Sequence, residues 1–399
     1  MNTPTESAET LHDRLLVEEG YARVNAMWKE KGAAAALKYA HHLPYGRALP
    51  LGLDLAEIDR IIGTMTCFYR RGERDWPTQW FTAGEEYLER ASRAEADGHR
   101  HTATQMLYSA GACYHLAGYM HHDIGRLMPV QQKSMARAAE IYWEAAPHFS
   151  PPAIRVSVPF GELPLPAFLR LPPGVKRPPC VVMIGGANSN KFNLHAVSDY
   201  YLERGMATFG MDGPGQGEYR ASGGMPLRVA DFDRALGASI DWLTQDGRVN
   251  VDCIGIYGRA TGGLLAIHAS AHDKRIKAVV AHPASFNWAN FFERNFAPTL
   301  VTHRLELCNF FGARTLKEGT QLVHEQLTLE HVADQITCPI LTVCSADDET
   351  MPLSESELLR RSVNAPVEIV SFPGKGHGGP SRLSLPLEAD WLQDKLSVK

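Results

Sequence analysis

Three short segments of this chain place residues at spacings that chemistry uses. The first is "GIYGRATGG", Gly255 to Gly263. Gly258, Arg259, Ala260, Thr261 and Gly262 fill the places of a Gly-x-Ser-x-Gly elbow, where flanking glycines let a strand turn sharply into a helix and lift a nucleophile off a sheet. The central place holds Ala260 instead of a serine. The second segment, "LTVCSADDETMP", ends an apolar run with Asp347 and Asp348, and the third, "FPGKGHGG", sets His377 in a glycine-rich loop after the next run. Nucleophile place, acid and histidine follow one another in the chain order of a triad carried by such a sheet. Asp348 is preferred as the acid over Asp347, although an aspartate in either place also serves as a turn or cap residue. With a hydroxyl at position 260, Asp348 would hold the imidazole in the required tautomer, and His377 would take the proton and return it to the leaving group. The oxyanion formed on the way needs two N–H donors. The backbone of Thr261, at a helix start, is one candidate. The backbone of Ala187, in the loop after "VVMIGG", is the other, with Gly185 and Gly186 allowing close approach to substrate.

Such residues need a sheet to carry them, and the sequence supplies its grammar. From about Leu11 to Glu144 the chain is alanine-rich and repeats apolar residues at helical spacing, as in "WFTAGEEYLERASRAEADGHRHTATQMLYSAGACYHLAGYM". No fixed period near those of helical repeat proteins survives counting, so a non-repeating helical domain over residues 1–150 is expected. At Pro151 and Pro152 the pattern changes to period 2. "IRVSVPF" and "LPAFLRLP" read as a hairpin, and "PPCVVMIGG", "MATFGMD", "VDCIGIYG", "IKAVVAHPA", "CPILTVCSA" and "VEIVSFPG" read as short buried strands alternating with helices. That alternation predicts an α/β domain over residues 151–399, with a mostly parallel sheet covered on both faces. One aromatic-rich stretch, about 286–330, interrupts it and is expected to be two or three helices forming a lid. Leaving from a strand's carboxyl end, it would roof a cleft together with the N-terminal helices.

Composition excludes other classes. A formal net charge of -5 gives no electrostatic reason to expect nucleic acid or an anionic membrane as partner. The seven cysteines are odd in number, scattered and without metal-ligand spacing, which fits free buried thiols in a reducing compartment. The polar start "MNTPTESAETLHDRLL" does not read as a signal peptide, and no apolar run is long enough to cross a bilayer. A cytoplasmic protein is expected.

The strings "VVMIGGANSNKF", "MATFGMDGPGQGE", "GIYGRATGG", "ADDETMP" and "GKGHGG", behind a helical N-terminal half, resemble the α/β-hydrolases typified by 2,6-dihydroxypseudooxynicotine hydrolase and the fungal pigment-pathway polyketide-shortening hydrolases. The most specific string is "DGPGQGE", Asp212 to Glu218, which taken alone reads as a glycine-rich turn. The resemblance implies the α/β-hydrolase fold with an N-terminal helical cap, a serine at position 260 served by Asp348 and His377, a cleft between cap and sheet, and a homodimer. It implies a serine hydrolase without metal or organic cofactor, cleaving a C–C bond beside a ketone or an ester in an aromatic or polyketide-like compound. Two departures stand out. Position 260 is alanine, and retention of the acid, the histidine and the glycine loops favours a serine-to-alanine change made to trap substrate over natural loss. Position 188, acidic in C–C cleaving relatives, is Asn188, which keeps hydrogen bonding but not charge.

Gly186, Asn188, Arg259, Tyr119, His122 and Phe292 are candidate substrate contacts. "YMHHD", Tyr119 to Asp123, is not read as a metal site, because its adjacent histidines, His121 and His122, point about 100° apart on a helix. Alternatives to the hydrolase are a natural pseudoenzyme binding a small molecule or protein partner, and an acyltransferase using the same triad.

Overall fold

The computed structural model describes residues 8–40, 48–69, 74–119, 124, 128–290, 301–374, 376–377 and 381–397. The chain divides into two units, Met1–Phe149 with Asn295–Gln321, and Ser150–Arg294 with Leu322–Lys399.

The first unit contains the helices Ala8–Lys31, Ala33–Tyr39, Leu55–Gly63, Trp76–Ala96, Arg100–Gly118, Pro129–Ala145 and Val301–Phe311. Local signals start two of them: the Asp54 carboxylate accepts from the N–H of Glu57 at 2.8 Å, and that of Asp75 from the N–H of Thr78 at 3.1 Å, each satisfying a donor that a helix start leaves open. Small residues let the later helices approach closely. A methyl group at Gly118 would lie 2.7 Å from Cβ of Ser134 on the next helix. Trp76, Trp80 and Tyr114 fill the core, where the Trp76 indole N–H donates to the carbonyl of Leu116 at 2.7 Å. Part of the aromatic-rich insertion belongs to this unit: the Asn309 amide donates to Oε1 of Gln131 at 3.1 Å, and the N–H of Leu316 to Asp13 at 2.8 Å. These bonds tie residues 309 and 316 to the helices Pro129–Ala145 and Ala8–Lys31.

In the second unit the period-2 stretch forms β1 (Ile154–Val158) and β2 (Leu165–Arg170), an antiparallel pair. The later apolar runs form β3 (Pro179–Ile184), β4 (Ala207–Met211), β5 (Asn250–Arg259), β6 (Ile276–His282), β7 (Ile340–Ser345) and β8 (Val367–Phe372). They join one eight-stranded sheet in the order β1-β2-β4-β3-β5-β6-β7-β8. From β4 to β8 every neighbouring pair is parallel, so the carboxyl ends of these strands share one edge. The helices His195–Leu202 and Ser381–Leu396 pack on one face, with Val197, Tyr201, Leu385, Ala389 and Leu392 against Val181, Met183, Tyr257, Val280 and Val343. The helices Val229–Asp246 and Thr261–His272 pack against each other and against β5. No helix among the described residues is long and apolar enough to cross a membrane.

Candidate active site

At the end of β5 the chain turns into the helix Thr261–His272 through Ala260, at φ 52 and ψ -121. Among the described residues only Arg177 and Ala260 combine a side chain with positive φ. Such a conformation costs about 1–3 kcal/mol and persists where the surroundings impose it. The surroundings are backbone. A methyl group at Gly258 would meet the carbonyl oxygen of Gly262 at 2.2 Å, one at Gly262 that of Gly185 at 2.5 Å, and one at Gly263 that of Pro283 at 2.7 Å. Two hydrogen bonds complete the turn: the N–H of Ala260 donates to the carbonyl of His282 at 3.0 Å, and that of Gly263 to the carbonyl of Ala260 at 2.8 Å.

The loop after β3 lies against this elbow. A methyl group at Gly186 would lie 3.2 Å from both Cβ of Ala260 and the carbonyl oxygen of Arg259. Ala187 follows in a turn closed by the N–H of Ser189 on the carbonyl of Gly186 at 3.0 Å, and Asn188 is half-buried in it. Thr261, at the first helical position and buried, has an N–H that no carbonyl of its own helix can reach.

Asp348 and His377 follow β7 and β8. The Asp348 side chain is 1% exposed, and its Oδ2 lies 3.0 Å from Nδ1 of His377. Its Oδ1 accepts from the N–H groups of Thr350 at 2.8 Å and Met351 at 2.9 Å. Burial alone would raise the carboxyl pKa, but the hydrogen bond and charge of His377 and the two backbone donors more than offset it, so the group sits below its usual value and is ionised at neutral pH. Asp347 is exposed. Ala260, Asp348 and His377 thus stand at the carboxyl ends of β5, β7 and β8, on one edge of the parallel sheet.

Arg259 is the last residue of β5. Tyr119 caps the helix Arg100–Gly118 in the other unit, its ring 6.1 Å from that of His115. His122 and Phe292, like the "YMHHD" histidines, lie outside the described residues.

As a string, "DGPGQGE" shows only a glycine-rich turn and no work for its side chains. In the structure the Gln216 amide donates to the carbonyl of Gly185 at 2.7 Å, and its Oε1 accepts from the N–H of Gly213 at 3.1 Å. Asp212 and Lys191 are buried as a pair at 2.8 Å; Lys191 also meets Glu218 at 2.7 Å, and its own N–H donates to Asp212 at 2.7 Å. The string after β4 therefore clamps the loop after β3, beside position 260. The fully buried Lys191 and Asp212 balance one another in charge, and each has further hydrogen bonds. Glu355, another buried carboxylate, accepts from the N–H groups of Phe286 at 3.1 Å and Asn287 at 3.0 Å and fixes the segment after β6. The strings holding Gln216 and Lys191 were legible; their pairing was not, because it joins the loops after two different strands.

This sheet, with an elbow at β5 and an acid and a histidine after β7 and β8, defines an α/β-hydrolase of the serine type. The profile of the prolyl oligopeptidase family matches residues 193–398, and that of FrsA-like esterases residues 57–286. The 2,6-dihydropseudooxynicotine hydrolase of Paenarthrobacter nicotinovorans is 32% identical over 336 residues, 82% of this chain and 86% of that protein. A crystal structure of the 2,6-dihydroxy-pseudo-oxynicotine hydrolase matches with a TM-score of 0.76 and 29% identity, covering 88% of this chain and 95% of that one. The α/β-hydrolase gkaG of Penicillium citrinum is 28% identical over 249 residues, 59% of this chain and 56% of its own. The chain belongs to the α/β-hydrolase family that includes 2,6-dihydropseudooxynicotine hydrolase.

Proposed function

We propose that this chain is the disarmed form of a serine hydrolase that cleaves an aromatic or polyketide-like acyl compound, with Ala260 standing where the nucleophile belongs. The observation that carries the reading is the strained, non-glycine turn at Ala260 with an ionised, buried Asp348 paired to His377 on a neighbouring strand end. An alanine has no chemical use for that conformation, whereas a nucleophile does. With a hydroxyl at position 260, His377 takes its proton as the oxygen bonds to the substrate carbonyl carbon. The N–H groups of Thr261 and Ala187 hold the resulting oxyanion. Collapse breaks the bond to the leaving group, which receives the proton from the imidazolium, and water then releases the acid by the same steps. In a C–C cleavage the leaving group is a carbanion, and the proton goes to carbon.

Names of relatives that act on a pseudooxynicotine support an aryl ketone as substrate. Gly186, Asn188, Arg259, Tyr119, His122 and Phe292 are proposed as substrate contacts. A homodimer in the cytoplasm completes the reading. A binding protein that lost its nucleophile naturally is the second reading, favoured by Ala260 itself.

The test is Ala260→Ser. Only that form should take up a fluorophosphonate probe at position 260 and hydrolyse p-nitrophenyl esters, with turnover about 10³-fold or more above the alanine chain. A folded serine form that neither labels nor turns over sinks the hydrolase reading and leaves the binder.

A further inference from the structure

Away from the elbow, the helix Thr261–His272 carries two histidines four residues apart, His268 and His272, which therefore share a face. The neighbouring helix Val229–Asp246 brings Asp233 to them. Oδ2 of Asp233 lies 2.9 Å from Nδ1 of His268 and 3.8 Å from Nε2 of His272, and the two rings are 5.1 Å apart between centroids. Among the described residues this is the one group of His, Cys, Asp and Glu side chains with three ligand atoms within 4.8 Å of one another. A second observation points the same way. Nδ1 of His268 and Oδ1 of Asp233 are buried atoms with no hydrogen-bond partner, so the 2.9 Å approach lacks the geometry of a hydrogen bond. Buried polar atoms left so are rare and costly unless something meets them.

We propose that Asp233, His268 and His272 form a binding site for a divalent transition-metal ion, zinc foremost. Two imidazole nitrogens and one carboxylate oxygen are a donor set for zinc and its neighbours, and unsuited to calcium or magnesium, which take oxygen donors. Ligand atoms of a tetrahedral zinc with bonds of about 2.0–2.1 Å stand about 3.3 Å apart. The separations of 2.9 and 3.8 Å fall on either side of that value. The fourth position is left to water, since the His272 side chain is 45% exposed and the site opens to solvent there. A simple Asp233–His268 ion pair would explain one contact but not the second histidine, whose Nε2 lies 3.8 Å from the same oxygen. A bound ion would bolt together two helices that pack on β5, one of them beginning at Thr261. The site stands apart from the proposed hydrolysis and does not depend on it.

The chain as it exists, stripped with chelator and titrated with zinc chloride against a chromophoric indicator, should bind one ion and unfold at a higher Tm when loaded. His272→Gln, at an exposed helix end where folding is preserved, and Asp233→Asn should each weaken zinc binding about tenfold or more and abolish the rise in Tm. X-ray absorption at the zinc edge should show nitrogen and oxygen neighbours only. Absence of binding to the parent chain, unchanged affinity in both variants, or sulfur among the neighbours overturns the proposal, the last two placing the ion on other histidines or on cysteines.

Discussion

A methyl group at Gly258 in the sheet unit would lie 2.2 Å from a carbonyl oxygen, whereas one at Gly111 in the helical unit would meet nothing closer than the carbonyl of Ala138 at 3.8 Å. The contrast is one of the elbow with the helical unit, since elsewhere in the sheet unit tight glycines such as Gly210 and Gly213 meet the rings of Phe168 and Phe232. Around position 260 backbone packs on backbone, and nothing there can yield by rotating a side chain. Where the helical unit is tight, as at Gly84 against the ring of Tyr114, the neighbour is a side chain. Rigidity at the elbow is what a nucleophile needs, since a reacting atom misplaced by a fraction of an ångström loses rate. A helical bundle needs only a filled core.

The strongest way to break this comparison is at the Asp348–His377 pair. In the Ala260→Ser background, Asp348→Asn should lower kcat for a p-nitrophenyl ester by about 10⁴-fold, because the imidazole loses its orienting acceptor; a fall under tenfold would remove Asp348 from the site. The same carboxyl has a lowered pKa in the folded chain, so its stabilising contribution is present above its unfolded value of about 4 and is lost as pH falls through the folded one. Acid unfolding of the asparagine variant should accordingly show a shallower loss of stability below that range.

Gly258→Ala comes next. A backbone clash at 2.2 Å should cost roughly 3–5 kcal/mol, visible in the urea midpoint; a neutral result would show that the elbow is softer than its contacts imply. In the helical unit, Trp76→Phe removes the indole hydrogen bond to Leu116 and some volume, for a loss of about 1–3 kcal/mol. The smallest effect should have the opposite sign. Gly111→Ala, inside the helix Arg100–Gly118 with ordinary contact distances, should stabilise by about 0.5–1 kcal/mol, measured as a higher Tm. If Gly111→Ala destabilises as much as Gly258→Ala, the two units do not differ as described.

Much of the scaffold could be read from the chain alone, because strand alternation, helical spacing and elbow glycines are patterns within a few residues. "VDCIGIYG" followed by "RATGG" has one sensible reading, a strand turning sharply into a helix, and β5 and its helix are there. The parallel run of β3 to β8 follows from strands alternating with helices. By contrast, the only local ground for Asp348 over Asp347 is its place four residues before Pro352. Burial separates them, turning one into solvent and the other onto His377. Nor does any local pattern assign residues 295–321 to the helical unit, or bring Gln216 to Gly185 and Asp233 to His268.

The sequence by itself determined where the chain turns, which segments are strands, and the chain order of Ala260, Asp348 and His377. Tertiary structure decided which acid meets the histidine, what clamps the loop beside position 260, and which distant side chains share a metal-binding geometry. The division has a physical cause. Turns and periodicity follow from steric and hydrophobic preferences of neighbouring residues, whereas the pairing of groups dozens of positions apart depends on strand order and on which side chains burial denies to water.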